Sequence, residues 1–300
     1  MKRVLVTGAT GFIGAPCVHY LAEAGYVVHA AALAAPEGTD GEVTYHDVDL
    51  LDTAQLRSLI HDVRPTHLLH LAWYVAPGAY WTSPENLRWV KAGLDLVQAF
   101  ADEGGVRAVM VGTCAEYEQS AMPLVEGVTP LRPTTLYSAA KAALHLTSQA
   151  YFAERAVSMA WAHLFYLYGP NEYPSRLVPS VIRALKSGEQ FECAHPSDAR
   201  DFLYVDDVAD ALVHLLDSEA RGDVNIASGE GIRIDALLAE IAAEIGAPEL
   251  VSCSEHAVET LPVVADVGRL RREVGWAAKR TRAEAIRSTI EWWSSQDRGV

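Results

Sequence analysis

Through the first 168 residues, short apolar runs alternate with stretches whose apolar positions recur every three or four residues. The runs are Val4 to Thr7, "YVVHAAAL" (26–33), "VTYHDVDL" (43–50), "THLLHLAW" (66–73), "VRAVMVGT" (106–113) and "VSMAWAHLFYLYGP" (157–170). They predict buried strands, while "APCVHYLAEAG", "DTAQLRSLIHDV" and "NLRWVKAGLDLVQAFADEG" between them carry the helical period. Buried strands separated by helices predict an α/β fold with a doubly wound parallel sheet. In such sheets ligands gather at the carboxyl ends of the strands.

After Gly169-Pro170 the rhythm changes to a segment rich in proline and polar residues, up to about Asp201. An apolar helical stretch, "VDDVADALVHLLDS" (205–218), follows, and "DVNIASGEGIRIDALLAEIAAEIG" then opens another strand and helix. This predicts one domain from 1–168 completed by about 202–224, and a smaller, discontinuous C-terminal domain from about 169–201 and 225–300. No internal repeat or low-complexity tract interrupts the chain.

The first strand runs into "GATGFIG", with Gly8, Gly11 and Gly14 directly before a helix. Glycines at this spacing let the backbone turn tightly and let a pyrophosphate approach amide groups at a helix N-terminus, where the dipole favours negative charge. The strand, turn and helix together predict a Rossmann-like dinucleotide site. In "TLYSAAK" (135–141), Tyr137 and Lys141 stand four apart, hence on one helix face. A phenol is a poor acid or base near neutral pH, and a neighbouring ammonium lowers its pKa by favouring phenolate. Thr113 ends an apolar strand, where a bound substrate would meet its hydroxyl.

Composition narrows the choices. A chain of 300 residues buries about 75% of its unfolded surface and needs no disulfide or metal staple. The four cysteines, Cys17, Cys114, Cys193 and Cys253, lack metal-ligand spacing and are expected to be reduced thiols, with no metal site. No apolar run reaches the ~18 residues of a membrane span, and the N-terminus enters a core strand directly, so a cytoplasmic protein without a cleaved signal is expected. A formal charge of -15 argues against nucleic acid.

The glycine turn, Asp49-Leu50, "HLAW" (70–73), Thr113, the Tyr137/Lys141 pair, "YGP" (168–170) and "RDFLYVDD" (200–207) occur in one order. In that order and spacing the chain resembles the extended short-chain dehydrogenase/reductases, in the branch of nucleotide-sugar epimerases, dehydratases and 4-ketoreductases. The resemblance implies NADP or NAD as cofactor, a nucleoside-diphosphate sugar as substrate, and a homodimer through the helices at 86–103 and 137–153, with Trp89 or Leu94 in the seam or the core. It assigns Gly8, Gly11, Phe12, Ile13 and Gly14 to the pyrophosphate, and Asp49 and Leu50 to the adenine. Leu71, Ala72 and Trp73 would run beside the nicotinamide ribose, with Leu164 also on the cofactor side. Lys141 would bind that ribose and tune Tyr137. Thr113, Tyr166, Arg176, Leu177, Phe191 and Arg200 fall on the substrate side. There Arg200 meets the diphosphate, unless it pairs with Asp198 or Asp201, and Phe191 lines the base pocket or is a half-buried strand residue.

Departures from the branch carry information. Dehydratase relatives place an acidic pair after the hydroxyl residue, where this chain has Cys114 and Ala115; decarboxylating relatives keep a glutamate at the Ala115 position. Relatives that epimerise at C3 and C5 need a cysteine at Ala115 and a histidine at Asn171. Cys114 is expected to be a small buried residue pointing away, and Glu116 to point elsewhere. What remains is hydride chemistry at one carbon: reduction of the C4 ketone of a nucleoside-diphosphate 4-keto-6-deoxyhexose, or alternatively 4-epimerisation with retained NAD. A catalytically silent dinucleotide-binding sensor or scaffold is the third reading. At the end of the second strand, Ala32 stands where NAD-binding relatives carry an acid, which leans the expectation to NADP.

Overall fold

The computed structural model describes residues 2–34, 43–253 and 260–296. Seven parallel strands form the main sheet: β1 (Arg3–Thr7), β2 (Val27–Ala32), β3 (Val43–Asp47), β4 (His67–His70), β5 (Arg107–Thr113), β6 (Ser158–Leu164) and, later in the chain, β10 (Gly222–Ile226). Their spatial order is β10-β6-β5-β4-β1-β2-β3, so the chain reverses direction across the sheet between β1 and β4. That reversal opens a crevice at the strands' carboxyl ends.

Side-chain alternation shows why the sheet is covered twice. Val4 and Val6 of β1, Val109 and Val111 of β5, and Ala160 and Ala162 of β6 enter one core, with α1 (Gly14–Glu23) and α6 (Val205–Asp217). Leu5, Ala108, Met110, Met159 and Trp161 enter a second core, with α2 (Thr53–Val63), α3 (Glu85–Asp102) and α4 (Leu136–Glu154). Period-two strands between two helix layers leave only the carboxyl ends and loops for ligands. Side-chain caps fix the starts of two of these helices. Asp52 caps α2 by accepting from the Ala54 and Gln55 amides, and Thr135 caps α4 in a reciprocal box with Ser138.

The rest of the chain adds β7 (Tyr166–Tyr168), α5 (Leu177–Lys186), β8 (Phe191–Cys193), β9 (Ala199–Tyr204), β11 (Gly231–Arg233), α7 (Ile234–Ile245), β12 (Val251–Cys253), α8 (Gly268–Arg272) and α9 (Arg282–Gln296). A three-stranded sheet, β11-β9-β7, and a two-stranded one, β12-β8, share a third core with α5, α7 and α9. Residues 166–168 thus leave the main sheet, while α6 and β10 return to it.

Candidate active site

The glycine turn is held from both sides. Thr7 Oγ1 accepts from the Leu71 and Ala72 amides at 3.2 and 3.3 Å, and the Ala9 amide donates to Ala31 O at 3.2 Å. Gly8 has φ +68°, and a Cβ on it would lie 3.0 Å from the Ala72 backbone; one on Gly14 would lie 2.1 Å from Gly8 O. Only glycine allows the turn to pack this closely. The helix that follows has no side-chain cap and no acidic residue in its first turn. Its leading amides at Phe12, Ile13 and Gly14 therefore remain suited to an anion. Ala32, buried, ends β2 beside this turn, and the following residues 35–42 lie outside the described residues. Leu50 is buried, and Asp49 Oδ1 accepts from the Leu51 amide at 2.9 Å in a turn. A dinucleotide fits this cradle.

One crevice wall is the start of α4. Tyr137 lies in its first turn, 8% exposed, edge-on to Tyr80 at 4.9 Å and to Trp81 at 5.6 Å, and its amide donates to Trp81 O at 3.1 Å. Lys141, one turn on, is buried: Nζ donates to Val111 O at 2.8 Å and lies 4.0 Å over the Trp73 ring. Burial pushes Lys141 down to about 7, against the opposing charge of Glu116. Burial raises the Tyr137 phenol, with the Thr113 hydroxyl opposing as a hydrogen-bond partner. The expectation that Lys141 holds this phenol low is therefore corrected: desolvation wins, and the ammonium is committed to Val111 O and the Trp73 face. Trp73 is a core residue as well, its indole N–H bonded to Asn86 Oδ1 at 2.9 Å.

Thr113 ends β5 within hydrogen-bond reach of the Tyr137 phenol. Thr113 Oγ1 accepts from the Ala115 amide at 3.2 Å, leaving its O–H proton free to donate. Cys114 requires a correction. The strand ends at Thr113, and Cys114 opens a short 3-10 turn, so strand alternation no longer aims it away. It is half-buried, packed against the first core, and burial pushes its thiol up to about 12. The Arg200 guanidinium lies 5.7 Å from the Tyr166 ring centre and is paired with Asp198 at 2.6 Å, with Thr260 Oγ1 at 3.2 Å. Asp201 instead accepts from the Ser228, Gly229 and Ala265 amides. Arg176 stands at the N-cap position of α5 without a side-chain cap bond, its guanidinium 5.2 Å from the Tyr80 ring centre, and Leu177 and Phe191 are half-buried against the third core. Leu164 is buried at the end of β6.

Residues 4–227 match the NAD dependent epimerase/dehydratase family. The chain belongs to that family. Over 99% of its length it is 25% identical to a UDP-glucose 4-epimerase of Streptomyces lividans, covering 98% of that protein. Over 97% it is 25% identical to the human dTDP-D-glucose 4,6-dehydratase, covering 90% of it. Among solved structures it superposes on the Thermus thermophilus UDP-glucose 4-epimerase complex with NAD at TM-score 0.85, with 26% identity, 98% of this chain and 99% of that one covered. The chain is thus an NAD-dependent epimerase/dehydratase family enzyme, and its fold is that of epimerase structures.

Within this family enzyme the structure brings Thr113 to the Tyr137 phenol and Lys141 onto the Trp73 ring, while Arg200 stands beside Tyr166. Sequence reasoning missed Tyr80 and Trp81, whose only signal was two adjacent aromatics in the loop before α3. It also missed Glu172, which is buried and pushed up to about 8 by that burial, with Arg176 opposing. A cavity of about 830 Å³ lies elsewhere, against Tyr204, Trp276, Arg280 and Arg282, and none of the predicted site residues line it. Among the described residues no helix is long and apolar enough to cross a membrane.

Proposed function

We propose that this enzyme is a nucleotide-sugar 4-epimerase, which oxidises the C4 hydroxyl of a nucleoside-diphosphate hexose and re-reduces the ketone from its other face. The observation that carries the reading is the crevice itself: Thr113, Tyr137 and Lys141 are assembled, while Cys114 and Ala115 stand where elimination of water needs an acid and a base. The epimerase relatives, one of them bound to NAD, support NAD over NADP and epimerisation over one-way reduction. When bound, NAD supplies the hydride acceptor and donor. Gly8, Gly11, Phe12, Ile13 and Gly14 hold its pyrophosphate, Asp49 and Leu50 its adenine, and Leu71, Ala72, Lys141 and Leu164 the nicotinamide half.

Tyr137 moves the proton at the C4 oxygen. Burial favours its protonated phenol, the form that donates as the ketone is re-reduced, and opposes the phenolate that takes the C4 hydroxyl proton in the oxidative half. Thr113 donates to the same oxygen and fixes its direction. Arg200 reaches the diphosphate by exchanging Asp198 for phosphate oxygens, which a planar guanidinium meets two at a time. Arg176, Leu177, Tyr166 and Phe191 shape the sugar and base sites. The enzyme acts as a homodimer, with α3 and α4 side by side and Leu87 and Leu146 exposed on them, 60% and 57%.

One observation favours the reductase reading. Ala32 offers no carboxylate to the adenosine ribose, and a weak clamp suits a cofactor released at every turnover. Absorbance at 340 nm separates the two. An epimerase given a 4-hydroxy nucleotide sugar shows no net change in reduced cofactor, whereas steady consumption of NADPH or NADH with a nucleoside-diphosphate 4-keto-6-deoxyhexose makes it a reductase.

A further inference from the structure

Glu116 is a carboxylate with no exposed surface, placed behind the strand end that carries Thr113. Burying a charge costs several kcal/mol unless partners hold it, so its contacts explain its presence. Oε1 accepts from the Thr113 amide at 2.9 Å and from Trp161 Nε1 at 3.2 Å. His163 Nδ1 stands 3.3 Å from Thr113 O and 3.8 Å from Glu116 Oε1. Both backbone polar groups of Thr113 thus meet one buried cluster.

The cluster is closed from behind. His145 Nδ1 lies 3.6 Å from Glu116 Oε2, and its Nε2 lies 2.8 Å from Asp223 Oδ1, with His163 Nε2 at 3.5 Å from that same oxygen. His145 also stacks on Trp161, ring centres 4.5 Å apart and 8° from parallel. These nitrogens and Glu116 Oε2 make no aligned hydrogen bond, so charge rather than bond geometry holds them. The donor atoms of His145, His163 and Asp223 lie within 4.8 Å of one another, near enough for a metal ion, but the 2.8 Å contact is an ion pair's and we read the group as an ion-pair network. Gly112 supports a built feature. A Cβ there would lie 2.0 Å from Trp161 Nε1 and 2.4 Å from Glu116 Oε1, so only glycine lets this bond form beneath the strand end.

Resting on the epimerase reading for Thr113's role, we propose that Glu116 and His163 are positioning residues. They grip the N–H and C=O of Thr113 and so set the direction of its hydroxyl toward the reacting oxygen. His145 anchors them from the α4 face that also carries Tyr137 and Lys141, at spacings of four and eight residues. Glu116 touches no substrate and transfers no proton.

Two variants test this. Glu116→Ala removes the grip and is expected to lower kcat about 10²-fold with KM and NAD affinity unchanged, since misplacement by about 1 Å costs that much. Glu116→Gln keeps an amide oxygen that can accept from Thr113 and Trp161, and is expected to retain kcat within about tenfold. Equal losses in both variants, or kcat unchanged in Glu116→Ala, overturn the proposal. A readout free of turnover covers misfolding of the alanine variant and failure of the epimerase reading alike. In protein labelled with ¹⁵N-threonine, the Thr113 amide proton, identified by its disappearance in Thr113→Ser, is expected to move upfield in Glu116→Gln as the charge-assisted bond weakens. An unmoved resonance overturns the proposal even where the wild type converts no nucleotide sugar.

Discussion

Replacing Gly14 by alanine would place a Cβ 2.1 Å from Gly8 O and 2.8 Å from Ala9 Cα, all backbone atoms with no rotamer to yield. Ordinary contact begins well beyond 3 Å, so turn and helix must part by about 1 Å. Overpacking of this kind costs about 1–3 kcal/mol, and here it opens the amide cradle itself. If that cost falls on cofactor binding, NAD affinity drops roughly 5- to 150-fold. Isothermal titration of the folded variant with NAD, well below its melting temperature, measures this. The control is Gly25→Ala, at φ +78° with nothing within 4 Å of its new Cβ. It should lose about 1 kcal/mol of stability through backbone strain and keep its NAD affinity. Wild-type NAD affinity in Gly14→Ala would refute the assignment of this turn to the pyrophosphate.

Further tests address the chemistry and the electrostatics. Tyr137→Phe should lower turnover by about 10²-fold or more with NAD binding intact, because a positioned proton transfer contributes that much; steady-state kinetics beside NAD titration checks it. Ala32→Asp should shift the ratio of NAD to NADP affinity toward NAD by about tenfold, the effect of a carboxylate facing a 2′-phosphate, and an unmoved ratio contradicts the placing of β2. His145 supplies the pH test. Burial works against its charge, yet Asp223 and Glu116 outweigh this and carry it up to about 9. A raised folded-state pKa gives stability that is fully present below the unfolded value near 6.5 and lost as pH climbs through 9. A rise of that size sets a scale of roughly 3 kcal/mol. Urea unfolding of wild type minus His145→Asn should show that difference shrinking between pH 6.5 and 10, and a pH-independent difference refutes the pairing.

The main sheet was legible because its strands are buried on both faces and read as apolar runs, and because glycines and proline punctuate them. Tyr137 and Lys141 were legible for a similar reason, since four-residue spacing on a helix is a geometric fact. Their electrostatics were not. Whether Lys141 lowers Tyr137 depends on burial, on Val111 O and on the Trp73 face, all brought from other elements. Cys114 leaves the strand's alternation because β5 stops at Thr113 and the Thr113–Glu116 capping box turns the chain, which the apolar run alone does not tell. Glu116 was expected to point elsewhere, and it does, into the core, but the histidines and aspartate that receive it come from α4, β6 and β10. The Arg200–Asp198 pair was visible as an alternative only because a single residue separates them. The aromatics over Tyr137 sit in a loop, where no periodicity marks them.

The most direct measurement supplies the purified enzyme, with no added cofactor, with a nucleoside-diphosphate hexose carrying deuterium at C4, and follows the products by NMR. The account predicts bound NAD, appearance of the C4 epimer, and deuterium kept at C4 in both sugars, because the abstracted hydride returns to the carbon it left. No interconversion in the absence of added cofactor, together with stoichiometric oxidation of NADPH or NADH by a 4-keto sugar, would contradict it.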